Sequence, residues 1–136
     1  ESASIDKQAH GRKACGSIGE LQQLDEALAV ALEFAKSSPD TLILVTADHG
    51  HAAQILSERT IYEGIEIPIY SPGYLVRVNT PEGAIMTVNY ATNNFVSEEH
   101  TGISVPLLTN QVGIGRVAAM IRQPDIFTLV RDYLLD

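Results

Sequence analysis

The 136 residues predict an α/β fold, with a mainly parallel central sheet flanked by helices. Three observations carry this expectation. Leu21, Leu24, Leu28, Ala31, Leu32 and Ala35 recur at steps of three and four, the signature of an amphipathic helix of about five turns. The segment Thr41–Thr46 then runs Thr-Leu-Ile-Leu-Val-Thr without alternation, so the expected strand is buried on both faces, as in a parallel sheet. Asp48 and His49 follow that strand directly, where open α/β sheets place their ligands.

The elements follow in order. Residues 1–17 are polar, with a short helical turn expected around Asp6–His10 and a loop through Gly11, Arg12, Lys13 and Gly16. The amphipathic helix extends from Gly19 to Ser37 and is stopped by Ser37-Ser38-Pro39-Asp40. Helix followed by buried strand is the second half of a βαβ unit. Pro68, Pro72 and Pro81, with several glycines, mark a surface insertion at about 57–83 that holds a short strand at Tyr74–Val78. A further strand is expected at Ala84–Tyr90, a polar loop at Ala91–Gly102 and a short strand at Ile103–Leu108. Gly115–Arg122 and Asp125–Leu135 read as helices, the latter with Ile126, Phe127, Leu129, Val130, Tyr133 and Leu134 for a packed face.

Composition excludes some functions. The net charge of −8 lacks the basic footprint that a polyanion requires, so no nucleic-acid partner is expected. No stretch approaches the roughly 18 apolar residues of a membrane span. One cysteine, Cys15, cannot form an internal disulfide. The chain starts at Glu1 with no signal peptide before it, so it is expected to be processed or part of a longer protein.

Each of the four histidines lies within a few residues of a carboxylate: Asp6-x-x-x-His10, Asp48-His49-Gly50-His51 and Glu98-Glu99-His100. Imidazole plus carboxylate is the ligand set of a catalytic zinc site. Asp6 and His10 are four apart, so on a helix they share a face and can bind one metal. His100 can add a third imidazole and leave a fourth position open. Asp48 and His49 can hold one divalent ion at the strand end; the competing reading is a polar turn in which Asp48 caps a helix over Ala52–Leu56. Glu1 offers a hard oxygen of the kind that suits magnesium. His51 is expected behind the ligands, orienting one of them, because a strand-end turn aims residues i and i+2 differently. Lys7 is a candidate phosphate-facing cation. Gly113-x-Gly115 before a helix has the look of a short phosphate-cradling turn. None of the serines sits in a nucleophile elbow.

Taken together, Glu1-Ser-x-x-Ile-Asp6-Lys7-x-x-His10, Thr46-Ala-Asp48-His49-x-His51 and Glu99-His100-Thr101-Gly102 resemble the C-terminal metal-binding motifs of alkaline phosphatase, in the order and spacing of its bacterial members. The resemblance covers nearly the whole chain and is clearest in residues 1–56 and 83–102. It implies that residues 1–136 are the C-terminal part of an alkaline-phosphatase-like sandwich. It implies roles by position: Asp6, His10 and His100 for a first zinc, Asp48 and His49 for a second, Glu1 for magnesium, Lys7 near the phosphate and His51 beside the first zinc. Cys15 matches a cysteine that some bacterial relatives pair with one nearer the N-terminus.

The implied cofactors are two zinc ions and one magnesium ion per complete site, and the implied chemistry is phosphomonoester hydrolysis through a phosphoserine intermediate. The parent is expected to be a periplasmic or secreted homodimer. The family's nucleophilic serine lies in an Asp-Ser-Ala context that does not occur here. That serine, a phosphate-clamping arginine, an aspartate shared by zinc and magnesium and a magnesium-binding threonine are all expected in a missing N-terminal half. The fragment alone is therefore expected to be inactive. Two alternatives remain: a related sulfatase, phosphodiesterase or phosphoglycerate mutase, and a non-catalytic zinc-binding or assembly fragment.

Overall fold

Residues 1–56, 74–90 and 93–136 are described by the structure, a computed structural model. They divide into two units: Glu1–Glu26 with Gly50–Gly102, and Ala27–His49 with Ile103–Asp136.

The first unit opens with helix α1, Ser4–His10. Its end is closed by two reversed backbone bonds, from Lys13 N–H to the Gln8 carbonyl and from Arg12 N–H to the Ala9 carbonyl, both 2.9 Å. That pattern places Arg12 where a left-handed residue, usually glycine, ends a helix. Arg12 adopts φ 56°, which for a residue with a Cβ costs about 1 kcal/mol or more. Helix α2, Ala14–Ser37, starts immediately afterwards. At Gly16 the Gln8 side chain packs close, its Oε1 within 2.5 Å of where a Cβ would stand.

Three antiparallel strands form the unit's sheet, β3 (Gln54–Leu56), β5 (Ile85–Tyr90) and β4 (Tyr74–Asn79), with β5 in the middle. A turn at Thr80–Ala84, with Gly83 at φ 81°, joins β4 to β5. Ala14, Val88 and Tyr90 form the core, packed against Val76, Val78 and Met86. A separate two-residue ladder pairs β2 (Gly50–His51) with β6 (His100–Thr101) and sets His51 directly opposite His100.

In the second unit, β1 (Leu44–Thr46) pairs antiparallel with β7 (Leu107–Thr109). Asn110 fastens the entry to β1: its Oδ1 accepts from Ile43 N–H at 3.1 Å and its Nδ2 donates to the Thr41 carbonyl at 2.8 Å. A 3-10 turn at Gln111–Gly113 follows, then helix α3, Asp125–Leu135. The Tyr133 hydroxyl donates to the Asp40 carbonyl, tying α3 to the segment before β1.

Sequence and structure differ at several points. The α/β class holds, but every strand pairing among the described residues is antiparallel, including that of β1. The run Thr41–Thr46 narrows to three strand residues, half-buried at Leu44 and Val45 and exposed at Thr46. Burial on both faces is not found, because among the described residues β1 has one neighbour. Gln54–Leu56 is a strand, so Asp48 caps no helix at Ala52–Leu56. Helix α2 begins at Ala14 instead of Gly19, absorbing Gly16. Gly115–Arg122 is not helical: Gly115 takes φ 85°, outside helical space. Gly113-x-Gly115 therefore leads into no helix. The short strand expected at Ile103–Leu108 falls at Leu107–Thr109. Of the insertion at 57–83, residues 57–73 lie outside the described residues; 74–83 form β4 and its turn.

Candidate metal centre

Asp6 and His10 sit one helical turn apart on α1, as their spacing requires, with His10 Nε2 at 3.4 Å from Asp6 Oδ2. The β2–β6 ladder brings His51 and His100 to the same place. His100 Nε2 is 3.1 Å from His10 Nε2 and 3.2 Å from Asp6 Oδ1; His51 Nε2 is 3.6 Å from Asp6 Oδ1. One donor atom from each of Asp6, His10, His51 and His100 lies within 4.8 Å of the others. Three separated stretches of sequence thus converge within one unit.

These distances fit a metal. Bonds of about 2.0–2.1 Å around a tetrahedral ion imply ligand-to-ligand edges of about 3.3 Å. His10 Nε2 and His100 Nε2 stand 3.1 Å apart, and each lies near one oxygen of the Asp6 carboxylate, His100 at 3.2 Å from Oδ1 and His10 at 3.4 Å from Oδ2. Two neutral imidazole nitrogens that face each other at 3.1 Å repel through their lone pairs, so a shared cation or proton favours this arrangement.

Hydrogen bonds to the far ring nitrogens separate the histidines by role. The Glu98 carbonyl accepts from His10 Nδ1, which makes Nδ1 the protonated nitrogen and leaves the Nε2 lone pair for a ligand. His51 is the reverse. Its Nδ1 accepts from Ala52 N–H at 3.0 Å, so its Nε2 carries the proton and faces Asp6 Oδ1. His51 thus turns an N–H towards Asp6, whereas His10 turns a lone pair towards the same place.

Behind His10 lies a pair that sequence inspection does not reveal. Glu98 is fully buried, and its Oε2 accepts from Arg12 Nε at 2.7 Å. The Arg12 guanidinium also donates to Asn93 Oδ1 at 3.2 Å and lies 4.2 Å from the Tyr74 ring centre. In the sequence Glu98 was one carboxylate beside His100, and Arg12 one residue of a loop; nothing in a separation of 86 residues signals their pairing.

Asp48 and His49 belong to the second unit, at the carboxyl end of β1, as expected. The Asp48 side chain is 81% exposed, with its Oδ2 at 3.6 Å from His49 Nε2 and its Oδ1 accepting His49 N–H at 3.1 Å. Gln123 Nε2 donates to the Asp48 carbonyl at 2.6 Å, a second contact that the sequence did not signal. Asp48 and His49 border an open cleft of about 380 Å³, with Pro106, Ala118, Met120 and Ile126 around it. Glu1 is exposed ahead of α1, and Lys7 is exposed on α1.

An imidazole–carboxylate cluster on an α/β chain is a candidate metal centre. Comparison with known proteins narrows that reading. The alkaline phosphatase family matches residues 1–115. The alkaline phosphatase of Escherichia coli (strain K12) is 41% identical over 127 residues, 93% of this chain and 25% of that protein. Alkaline phosphatase H of Pseudomonas aeruginosa is 37% identical over 131 residues, 96% of this chain and 26% of that protein. A streptomycin-6-phosphate phosphatase of Streptomyces griseus is also 37% identical over 131 residues, 96% of this chain and 27% of that protein. The chain belongs to the alkaline phosphatase family and spans about a quarter of the length of these relatives. Among the described residues no helix is long and apolar enough to cross a membrane.

Proposed function

We propose that the protein carrying this chain hydrolyses phosphomonoesters through a phosphoserine intermediate, and that residues 1–136 are its C-terminal portion. The observation that carries this reading is the convergence of Asp6, His10 and His100, with donor atoms within 4.8 Å of one another, in a chain of this family. Asp6, His10 and His100 would hold a first zinc. Asp48 and His49 would give part of a second zinc site, and Glu1 one ligand of a magnesium site. Divalent ions bound at such a centre supply charge to phosphoryl oxygens and to the attacking and leaving groups.

The chain's own residues do the rest. His51 Nε2 faces the Asp6 carboxylate at 3.6 Å, the Glu98 carbonyl fixes the His10 ring, and Lys7 adds a positive charge on α1. The remaining three quarters of the protein would supply the attacking serine and the further ligands of the ion at Asp48 and His49. In the complete protein, β1 is expected within a mainly parallel sheet, with residues 57–83 as a surface insertion. The parent would be a periplasmic or secreted homodimer.

The purified 136-residue chain is expected to leave a chromogenic phosphate ester unhydrolysed in the presence of zinc and magnesium. Turnover that is abolished by substituting a serine within the chain would overturn the assignment. A second reading, a non-catalytic zinc-binding module, is favoured by one observation: the first cluster is assembled within a single unit. Under it, the complete protein binds zinc yet hydrolyses no phosphate ester.

A further inference from the structure

We propose that the buried Arg12–Glu98 pair is a positioning device that sets the His10 imidazole in its ligand-ready tautomer; the inference rests on the reading of Asp6, His10 and His100 as a metal centre. The connection is direct. The Glu98 carbonyl receives the proton of His10 Nδ1, and Glu98 N–H donates back to the His10 carbonyl at 2.9 Å. The position of that carbonyl depends on where the Glu98 side chain is held. Its carboxylate is fully buried and is held by Arg12 Nε at 2.7 Å.

Arg12 is itself fixed on three sides. Asn93 Oδ1 accepts from its Nη2, the Tyr74 ring lies beside the guanidinium, and its backbone is locked by the closure of α1. The φ of 56° at Arg12 is the informative departure. A helix end of this form favours glycine, and the residue found there instead carries the cation that Glu98 needs. His10 and Arg12 also share one short stretch of chain, so the same turn that ends α1 sets the ring and the clamp together. Outer groups that orient a ligating histidine in this way commonly alter metal affinity about 10–100-fold when removed.

A purely structural pair and a positioning pair give different results. The probes are the ¹⁵N chemical shifts of the His10 ring in the zinc-free protein and zinc affinity by calorimetry, applied to the purified protein. In the unaltered protein His10 is expected to be protonated on Nδ1. Glu98→Gln keeps an acceptor for Arg12 and should retain both that signature and zinc affinity within about twofold. The double variant Arg12→Met/Glu98→Leu strands no buried charge. It should fold, show His10 as a mixture of tautomers and bind zinc about 10–100-fold more weakly.

A folded double variant with His10 still protonated on Nδ1 and unchanged zinc affinity overturns the inference. Failure of the unaltered protein to bind zinc would instead overturn the metal-centre reading. The ring signature would still decide whether Arg12 and Glu98 set the tautomer.

Discussion

The two units treat their polar groups in opposite ways. In the first, Glu98 is fully buried, Arg12 is 11% exposed and His51 14% exposed, and each is held by named partners. In the second, Asp48 is 81% exposed, the Arg116–Asp136 pair lies in solvent, and α3 buries no residue. Among the described residues, every buried apolar side chain (Ala9, Ala14, Ala52, Val88 and Tyr90) belongs to the first unit. A charge withdrawn from water must be paired and hydrogen-bonded, and that requirement fixes its geometry. The first unit therefore holds its donor atoms in place with its own residues. The second presents a largely exposed carboxylate at a strand end.

Stability gives the sharpest contrast. Arg12→Ala removes the cation paired with a fully buried carboxylate and should lower the free energy of unfolding by about 3–5 kcal/mol. Arg116→Ala breaks an exposed pair and should cost no more than about 1 kcal/mol. Equilibrium urea unfolding of both variants measures the difference. Equal losses would erase the distinction between the two units.

The smaller effect concerns Tyr90, at the core of the first unit. Burial pushes its phenol up from the ordinary value of 10.0, and Cys15 and Glu98 add to the rise through their negative forms. The folded protein then keeps the Tyr90 proton to higher pH than the unfolded chain does. This contribution to stability is intact below the unfolded pKa and declines as pH rises from there through the raised folded value. Unfolding midpoints compared at pH values either side of about 10 should fall less in Tyr90→Phe than in the unaltered protein. Parallel falls in both proteins would show that Tyr90 titrates alike folded and unfolded.

The sequence and the structure meet where chemistry depends on local spacing: Asp6 and His10 share a helix face because they are four apart. Strand direction is not legible in the same way. The apolar run ending at Thr46 shows that a strand is there, but its partner is chosen by Leu107–Thr109, some 60 residues on. The helix expected at Gly115–Arg122 failed because apolar spacing outweighed a glycine that takes a positive φ. Arg12–Glu98 is the extreme case. A buried ion pair between two residues of ordinary surface type leaves no local pattern, and only the fold brings them together. Family resemblance marks candidate metal ligands, but not the residues that hold those side chains in place.

Calorimetric titration with zinc tests the central claim most directly. The account predicts a tight site that loses more than about 100-fold in affinity in His10→Ala and in His100→Ala, and that persists in Asp48→Ala. Equal zinc binding by the unaltered protein and both histidine variants would contradict it.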